Sequence, residues 1–165
     1  MADFKDIEKI FNQLTGTIFN KTNFTDLSDL SIDILYKRVK SGLGVDSDTK
    51  DNPSKRKLKP LKPSTIDARR KKGVRGKFGS PNVSNLTDTG QMLDSMVTKV
   101  KGDGYQLLIP NSPRTDGKKN RDVAGYVSEN GRPFFALTRD EQTIVTARLD
   151  KIVRNEILKL IKKNT

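Results

Sequence analysis

One block of basic residues, from Lys50 to Lys77, separates the two parts of this chain that carry the apolar patterns of a core. Twelve Lys or Arg residues fall within the block, and only Asp51 and Asp67 oppose them, so it holds ten of the twelve net positive charges. Cations at this density repel one another, and only opposite charge from outside can order them closely. The sequence therefore predicts a charged segment that protrudes from the core at about residues 43–82.

The chain before the basic block has the apolar period of two long helices. The first stripe repeats at steps of three and four residues and consists of Phe4, Ile7, Phe11, Leu14 and Ile18. After a break near residues 20–23, a second helix is expected from about Thr25 to Ser41, ending at Gly42 and Gly44. Its predicted buried residues are Leu27, Leu30, Ile34, Leu35 and Val39.

Residues 43–62 have no helical period and contain Pro53 and Pro60, so we expect a long solvated loop. A loop of this length inside a compact domain tends to be functional or mobile. Pro63 suits the first position of a short helix that runs to Lys72. The basic block is thus predicted to combine an extended part with one short helix.

The chain after the block reads as a small sheet with helices. A short helix is expected at 91–96, followed by a strand at 97–101, a tight turn and a return strand at 105–109. Residues 110–120 are predicted to be an exposed loop, and residues 122–130 a short helix. The apolar run at 132–137 is expected to be a third strand or an extended segment packed on the core.

The last helix is the clearest element of the sequence. Thr138 and Glu141 have the spacing of a capping box, in which the two residues satisfy each other's backbone N–H groups. A sustained apolar stripe follows, made of Val145, Leu149, Ile152, Val153, Ile157, Leu160 and Ile161. We expect five of these to face the sheet, with three residues of the preceding run packed nearby. The five are Leu149, Ile152, Val153, Ile157 and Leu160, and the three are Phe134, Phe135 and Leu137.

These patterns predict one α+β domain spanning residues 1–165. Its small antiparallel β-sheet is flanked by helices, with a long N-terminal helical pair, a long C-terminal helix and extended basic loops. The length of 165 residues fits a single domain. No signal peptide and no membrane span are expected, because no long apolar run occurs.

Catalysis and cofactors are not expected. The chain has no Cys and no His, which excludes disulfides, Cys nucleophiles, His acid–base chemistry and the common zinc sites. The Gly73–Lys77 stretch lacks the spacing and the hydroxyl residue of a phosphate-binding loop. No carboxylates have the spacing of a metal-dependent nuclease. We therefore predict a protein that is not an enzyme and holds neither a metal nor a cofactor.

The cations of the basic block are the candidate contacts, either with a partner protein or with DNA. Phe78 is the one aromatic residue beside them, so contact with DNA would use phosphates without sequence preference. Leu58, Leu61 and Ile66 interrupt the charges and can anchor in apolar pockets, which favours a protein partner. The candidate residues are Lys55, Arg56, Lys57, Lys59, Lys62, Arg69, Arg70, Lys71, Lys72, Arg75 and Lys77.

The order of several short motifs resembles a known family. Leu58-Lys59-Pro60-Leu61 and a basic helix come first, Leu86-Thr87-Asp88-Thr89-Gly90-Gln91-Met92-Leu93-Asp94-Ser95 follows, and Arg132-Pro133-Phe134-Phe135-Ala136-Leu137-Thr138 precedes a long terminal helix. This arrangement is similar to the tailed-bacteriophage virion-morphogenesis or tail-completion (neck) protein family. The resemblance covers about residues 55–163 and does not clearly include the first helix or the Lys-rich and Gly-rich insert.

The resemblance implies a structural virion protein that forms a ring of six or twelve copies in the phage neck. Such a ring completes the tail and joins it to the DNA-filled head, after assembly in the host cytoplasm. The implied partners are portal or adaptor proteins and tail-tube or terminator proteins, with possible non-specific contact to DNA in the channel. Two alternatives stay open: a tail terminator ring that caps the tail tube, and a non-specific nucleic-acid-binding protein.

Overall fold

The computed structural model describes residues 4–46, 53–71, 82–83, 86, 90–101 and 104–163, with the backbone alone at residues 4–7 and 10. In these parts of the chain, six helices and four strands occur. They are α1 (Phe4–Ile18), α2 (Lys21–Lys40), β1 (Leu43–Val45), β2 (Lys55–Lys57), α3 (Pro63–Lys71), α4 (Gln91–Asp94), β3 (Val97–Lys101), β4 (Gly104–Leu108), α5 (Asn120–Glu129) and α6 (Arg139–Lys163). The predicted α+β class is confirmed, with two small antiparallel sheets, β1–β2 and β3–β4, flanked by helices.

The N-terminal helical pair turns sharply at Asn20. The Oδ1 atom of Asn20 accepts a hydrogen bond from the backbone N–H of Asn23 at 2.8 Å, which caps α2. This cap makes α2 begin four residues before the predicted Thr25. Beyond the turn, the ring of Phe24 stacks on that of Phe19, with centroids 6.1 Å apart. The pair is therefore joined by a capped, aromatic-packed corner rather than by the four-residue break that the sequence suggested.

The first helical stripe is only partly buried. Ile18 is buried and Leu14 is half-buried, but Phe11 is 62% exposed. The side chains of Phe4 and Ile7, which were predicted to belong to this stripe, lie outside the described part. The exposure of Phe11 corrects the predicted stripe, since Ile18 is its one fully buried member among the side chains that the structure describes.

The main core lies where α2, α4 and α5 meet. Leu35 and Val39 of α2 contribute to it, and Ser31 of α2 forms a 2.8 Å hydrogen bond with the hydroxyl of Tyr105 on β4. One face of α2 thus contacts the β3–β4 hairpin, while another contacts α6. The buried core residues are Leu35, Val39, Met92, Leu93, Met96, Ile109, Ala124 and Phe134.

The predicted packing of α6 on the sheet is wrong. The helix contacts α1 and α2 instead, because α2 already covers the β3–β4 hairpin. Of the five residues predicted to face the sheet, four are half-buried and Ile157 is 38% exposed. The half-buried residues are Leu149, Ile152, Val153 and Leu160. Leu137 is half-buried as well, whereas Phe134 is in the core and Phe135 is 36% exposed.

The start of α6 forms half of the predicted capping box. The backbone N–H of Thr138 donates to Oε2 of Glu141 at 2.9 Å, as the motif requires. The hydroxyl of Thr138 is buried, and no hydrogen-bond partner for it occurs among the described residues. The carboxylate therefore caps this helix, and the threonine hydroxyl does not.

The prediction of a continuous loop at 43–62 is wrong at two places. β1 and β2 pair in antiparallel register, with Gly44 opposite Arg56. All three side chains of β2 are exposed, so the segment lacks the alternation of apolar and polar residues that marks a strand. The N–H of Val45 also donates to the carbonyl of Pro133 at 2.9 Å. Residues 132–137 are the predicted extended segment on the core, not a third strand.

Candidate functional site

The strand β2 displays the first three cations of the candidate site. Lys55, Arg56 and Lys57 are exposed, and pairing with β1 holds their backbone in an extended conformation. Arg56 lies near one carboxylate, with its Nη1 atom 3.7 Å from Oδ1 of Asp46. Because successive side chains of a strand point to opposite faces, Lys55 and Lys57 share one face of β2 and Arg56 lies on the other.

The next part of the basic block is attached to the body of the protein. Leu58 is 6% exposed, so it is buried in the chain's own structure, against our prediction of a protruding segment. The Nε and Nη2 atoms of Arg132 donate to the carbonyls of Lys59 and Pro60, both at 3.1 Å. The side chains of Lys59 and Lys62 remain exposed. The apolar anchor of this part is therefore internal, because Leu58 packs where β1 approaches residue 133.

The helix α3 carries three candidate cations with different surroundings. Arg69 is 5% exposed, and its Nη1 atom donates to the carbonyl of Val83 at 3.0 Å. Arg70 is exposed and donates to Oδ1 of Asn82 at 3.1 Å, while Lys71 is exposed. Arg69 is therefore a structural residue rather than a surface contact, since burial already commits its guanidinium to the backbone. The remaining candidates, Lys72, Arg75 and Lys77, lie outside the described residues.

A cleft of about 810 Å³ opens beside α3. It lies between α3, α5 and the loop at 110–120, which the sequence correctly predicted to be an exposed loop. Among the described residues, its apolar lining includes Leu61, Leu86, Met92, Val123, Tyr126 and Val127. Five cations also line it, Arg69, Arg114, Lys118, Lys119 and Arg132, together with the carboxylates Asp116 and Asp122.

An ion pair fixes one wall of this cleft. The Nε and Nη2 atoms of Arg114 lie 3.1 and 3.3 Å from the two carboxylate oxygens of Asp116. The hydrogen bond from Arg114 lowers the pKa of the Asp116 carboxyl below its usual value. Asp116 stays ionised at neutral pH, and the charge of Arg114 neutralises it. The net charge of the cleft lining therefore depends on its other charged residues.

Exposed apolar side chains form a further candidate surface on α6. Leu158 and Ile161 are 55% and 57% exposed, and their spacing of three residues places them on one face of the helix. Ile144, nearer the start of the same helix, is 51% exposed. Large apolar side chains repeated along one helix are typical of a surface that a partner covers.

Sequence reasoning found the basic block but missed the cleft. The cleft cations Arg114, Lys118, Lys119 and Arg132 come from separate elements, and no local pattern connects them. The stripe predicted on the last helix includes Ile161 but neither Ile144 nor Leu158, and it did not predict that these residues stay exposed. In the described residues, no cluster of carboxylates could hold a metal ion, and no helix has the length and apolarity to cross a membrane.

Comparison with known proteins gives no relative: no protein-family model, curated protein or solved structure matches this chain.

Proposed function

We propose that this chain is a structural subunit of a tailed-bacteriophage particle, without enzymatic activity. In this proposal, six or twelve copies form a ring in the neck that completes the tail and joins it to the DNA-filled head. Portal or adaptor proteins lie on one side of the ring and tail-tube or terminator proteins on the other. The order of motifs from residue 58 to the last helix supports the phage context.

The observation that carries the proposal is the exposed apolar surface of α6. Leu158 and Ile161 are more than half exposed, and so is Phe11 on α1, the helix that packs against α6. A folded monomer gains stability when such side chains leave water, at about 25 cal/mol per Å² of apolar area. A ring supplies that burial repeatedly, because each subunit packs such a surface against a different surface of the next subunit.

The ring proposal is tested by weakening this surface. The double variant Leu158→Gln and Ile161→Gln should keep the melting temperature of the isolated subunit, because neither side chain is buried there. It should fail to enter particles, measured as copies per purified neck. Val97→Gln removes another apolar side chain, 45% exposed on β3, and serves as the control that still assembles. A single copy of the parent chain per particle would rule out a ring.

A deletion mutant distinguishes the neck role from its closest alternative. Loss of the gene should leave filled heads and tails separate, with tails of normal length, in electron micrographs. Overlong tails would instead identify the chain as a tail terminator. Joined, infectious particles would overturn both roles.

The exposed cations of β2 favour a second candidate function, non-specific binding of nucleic acid. Phosphate contacts release counterions, so binding to duplex DNA would weaken steeply as salt increases. We prefer protein contact, and we expect replacement of Lys55, Arg56, Lys57 and Lys59 by Ser to reduce head–tail joining without changing the melting temperature. High salt should mimic that defect. Two results together would favour the nucleic-acid role. The parent would bind DNA tightly, and its affinity would depend more steeply on salt than that of the fourfold variant.

A further inference from the structure

The cleft beside α3 and α5 combines an apolar floor with a basic rim. Met92 at the floor is buried, and Val123 and Val127 of α5 are half-buried. Tyr126, from the same helix, is 67% exposed at the opening. The cleft therefore offers apolar contact and hydrogen bonding to an occupant that enters from solvent along α5.

The lining has an excess of positive charge. Among the described residues of the lining, five cations accompany two carboxylates, a net charge of +3. Asp116 is already paired with Arg114, while Lys118 and Lys119 are exposed beside it. An occupant with carboxylates would be complementary to this rim, and a basic occupant would be repelled.

We propose that this cleft docks an acidic segment of a neighbouring protein, which inserts apolar side chains against Met92, Val123 and Val127. The inference rests on the proposed function, because a neighbour in the neck supplies the segment. We assign the segment to a neighbour of different sequence, whose carboxylates would complement the basic rim. The segment's carboxylates lie beside Lys118 and Lys119, and its apolar side chains cover Tyr126.

The floor of the cleft favours a protein segment over other anions. A nucleic-acid backbone would match the cations, but its phosphates would leave the aliphatic floor uncovered. A small ligand is usually enclosed over most of its surface. Here the tyrosine at the opening and the loop residues 115–119 are exposed, so a small ligand would remain largely in water. A peptide that lies along α5 covers both the floor and the rim.

Fluorescence anisotropy of the purified full chain tests this proposal with three labelled probes of equal charge. The probes are a peptide that alternates Glu with Leu and Phe, the same peptide with Ser in place of Leu and Phe, and a short duplex DNA. We expect the first peptide to bind about tenfold more tightly than the other two, because it alone supplies charge and apolar side chains together. The assay uses the isolated protein, so its failure would leave the deletion phenotype, and hence the proposed function, untouched.

Two pairs of variants locate the binding. The double charge reversal Lys118→Glu and Lys119→Glu should weaken binding of the first peptide about tenfold more than Lys99→Glu and Lys101→Glu, which changes the net charge equally on exposed positions of β3. Tyr126→Ser should weaken it as well, whereas Phe11→Ser, at an exposed aromatic residue of α1, should not.

Three results would overturn the proposal. Equal affinity for the Ser-substituted peptide or for DNA would reduce the cleft to a general anion surface. Equal losses in the two charge-reversal variants would place the binding elsewhere. Absence of saturable binding up to about 1 mM of the first peptide would show that the cleft does not dock such a segment.

Discussion

The guanidinium of Arg38 on α2 is paired with the carboxylate of Glu141 on α6, and only 2% and 4% of the two side chains are exposed. The Nη2 atom of Arg38 also donates to the carbonyls of Phe134 and Ala136. The same carboxylate caps α6 through the N–H of Thr138. This pair therefore joins α2, the 132–137 segment and the start of α6 at one buried point.

Replacement of Arg38 by Ala should destabilise the fold by about 3–5 kcal/mol, because it leaves a buried carboxylate and two backbone carbonyls without their donor. Burial lowers the pKa of Arg38, and the charge of Glu141 opposes that shift. A guanidinium stays charged in proteins, so the pair is ionic. Urea unfolding measures the loss. The control is Arg148→Ala, which breaks a half-exposed 2.8 Å pair with Asp26 and should cost about 1 kcal/mol or less. Equal losses in the two variants would contradict the role assigned to Arg38.

The adjacent residues Phe134 and Phe135 should respond very differently to truncation. Phe134 is completely buried in the main core, whereas Phe135 is 36% exposed and packs edge-on against it, with ring centroids 6.0 Å apart. Phe134→Ala should cost about 3–5 kcal/mol in the free energy of unfolding, because it removes a ring from the core and leaves a cavity. Phe135→Ala should cost markedly less, since part of that ring is already in water. Similar urea midpoints for the two variants would contradict the difference in burial between the two rings.

The helices of this protein could be predicted from its sequence, because an apolar period is a local property. The neighbours of those helices could not. The predicted stripe of α6 is half-buried in part, with Ile157 and Ile161 exposed, and it did not predict that α2 separates this helix from the β3–β4 hairpin. No local pattern marks Arg38 as buried, because its partner Glu141 lies 103 residues away.

The candidate site was predicted only in part, because its charge is a local property of the sequence and its contacts are not. The charge of the basic block is visible in the sequence, and seven of its eight described candidate cations are exposed. The buried guanidinium of Arg69 donates to the carbonyl of Val83, and no local sequence pattern predicts that contact. β1 and β2 were missed because a strand of three exposed cations has no alternation to detect. Contacts distant in sequence decided each of these differences.

Gly44 and Gly16 should give opposite results when each is replaced by Ala. A Cβ atom on Gly44 would lie 2.2 Å from the carbonyl oxygen of Pro133 and 2.5 Å from Cδ2 of Leu58, so β1 or its neighbours must shift. We expect a loss of about 1–3 kcal/mol. Gly16 lies inside α1 with nothing within 4 Å of the added atom, and Ala there should stabilise the fold by about 0.5–1 kcal/mol.

The two glycine variants are compared by thermal melting under identical conditions. The midpoint should fall for Gly44→Ala and rise for Gly16→Ala. A parent-like midpoint for Gly44→Ala would mean that β1 does not approach Pro133 as closely as the structure has it.

Tyr36 should ionise at a higher pH than an ordinary tyrosine. Burial raises the pKa of its phenol above the usual 10.0, and the nearby carboxylate of Asp94 raises it further. Between the pKa of the unfolded chain and that of the folded protein, only the unfolded chain loses this proton. The contribution of Tyr36 to stability is therefore intact below pH 10 and is lost as the pH rises towards its folded pKa.

The ionisation of Tyr36 is measured by the absorbance of tyrosinate against pH. Subtracting the curve of Tyr36→Phe from that of the parent isolates this group from the other two tyrosines. We expect the midpoint of that difference to lie above 10.0, and to move down in Asp94→Asn, since the variant removes the charge that opposes ionisation. A midpoint at or below 10.0 in the folded parent would contradict the position of Tyr36 beside the core and Asp94.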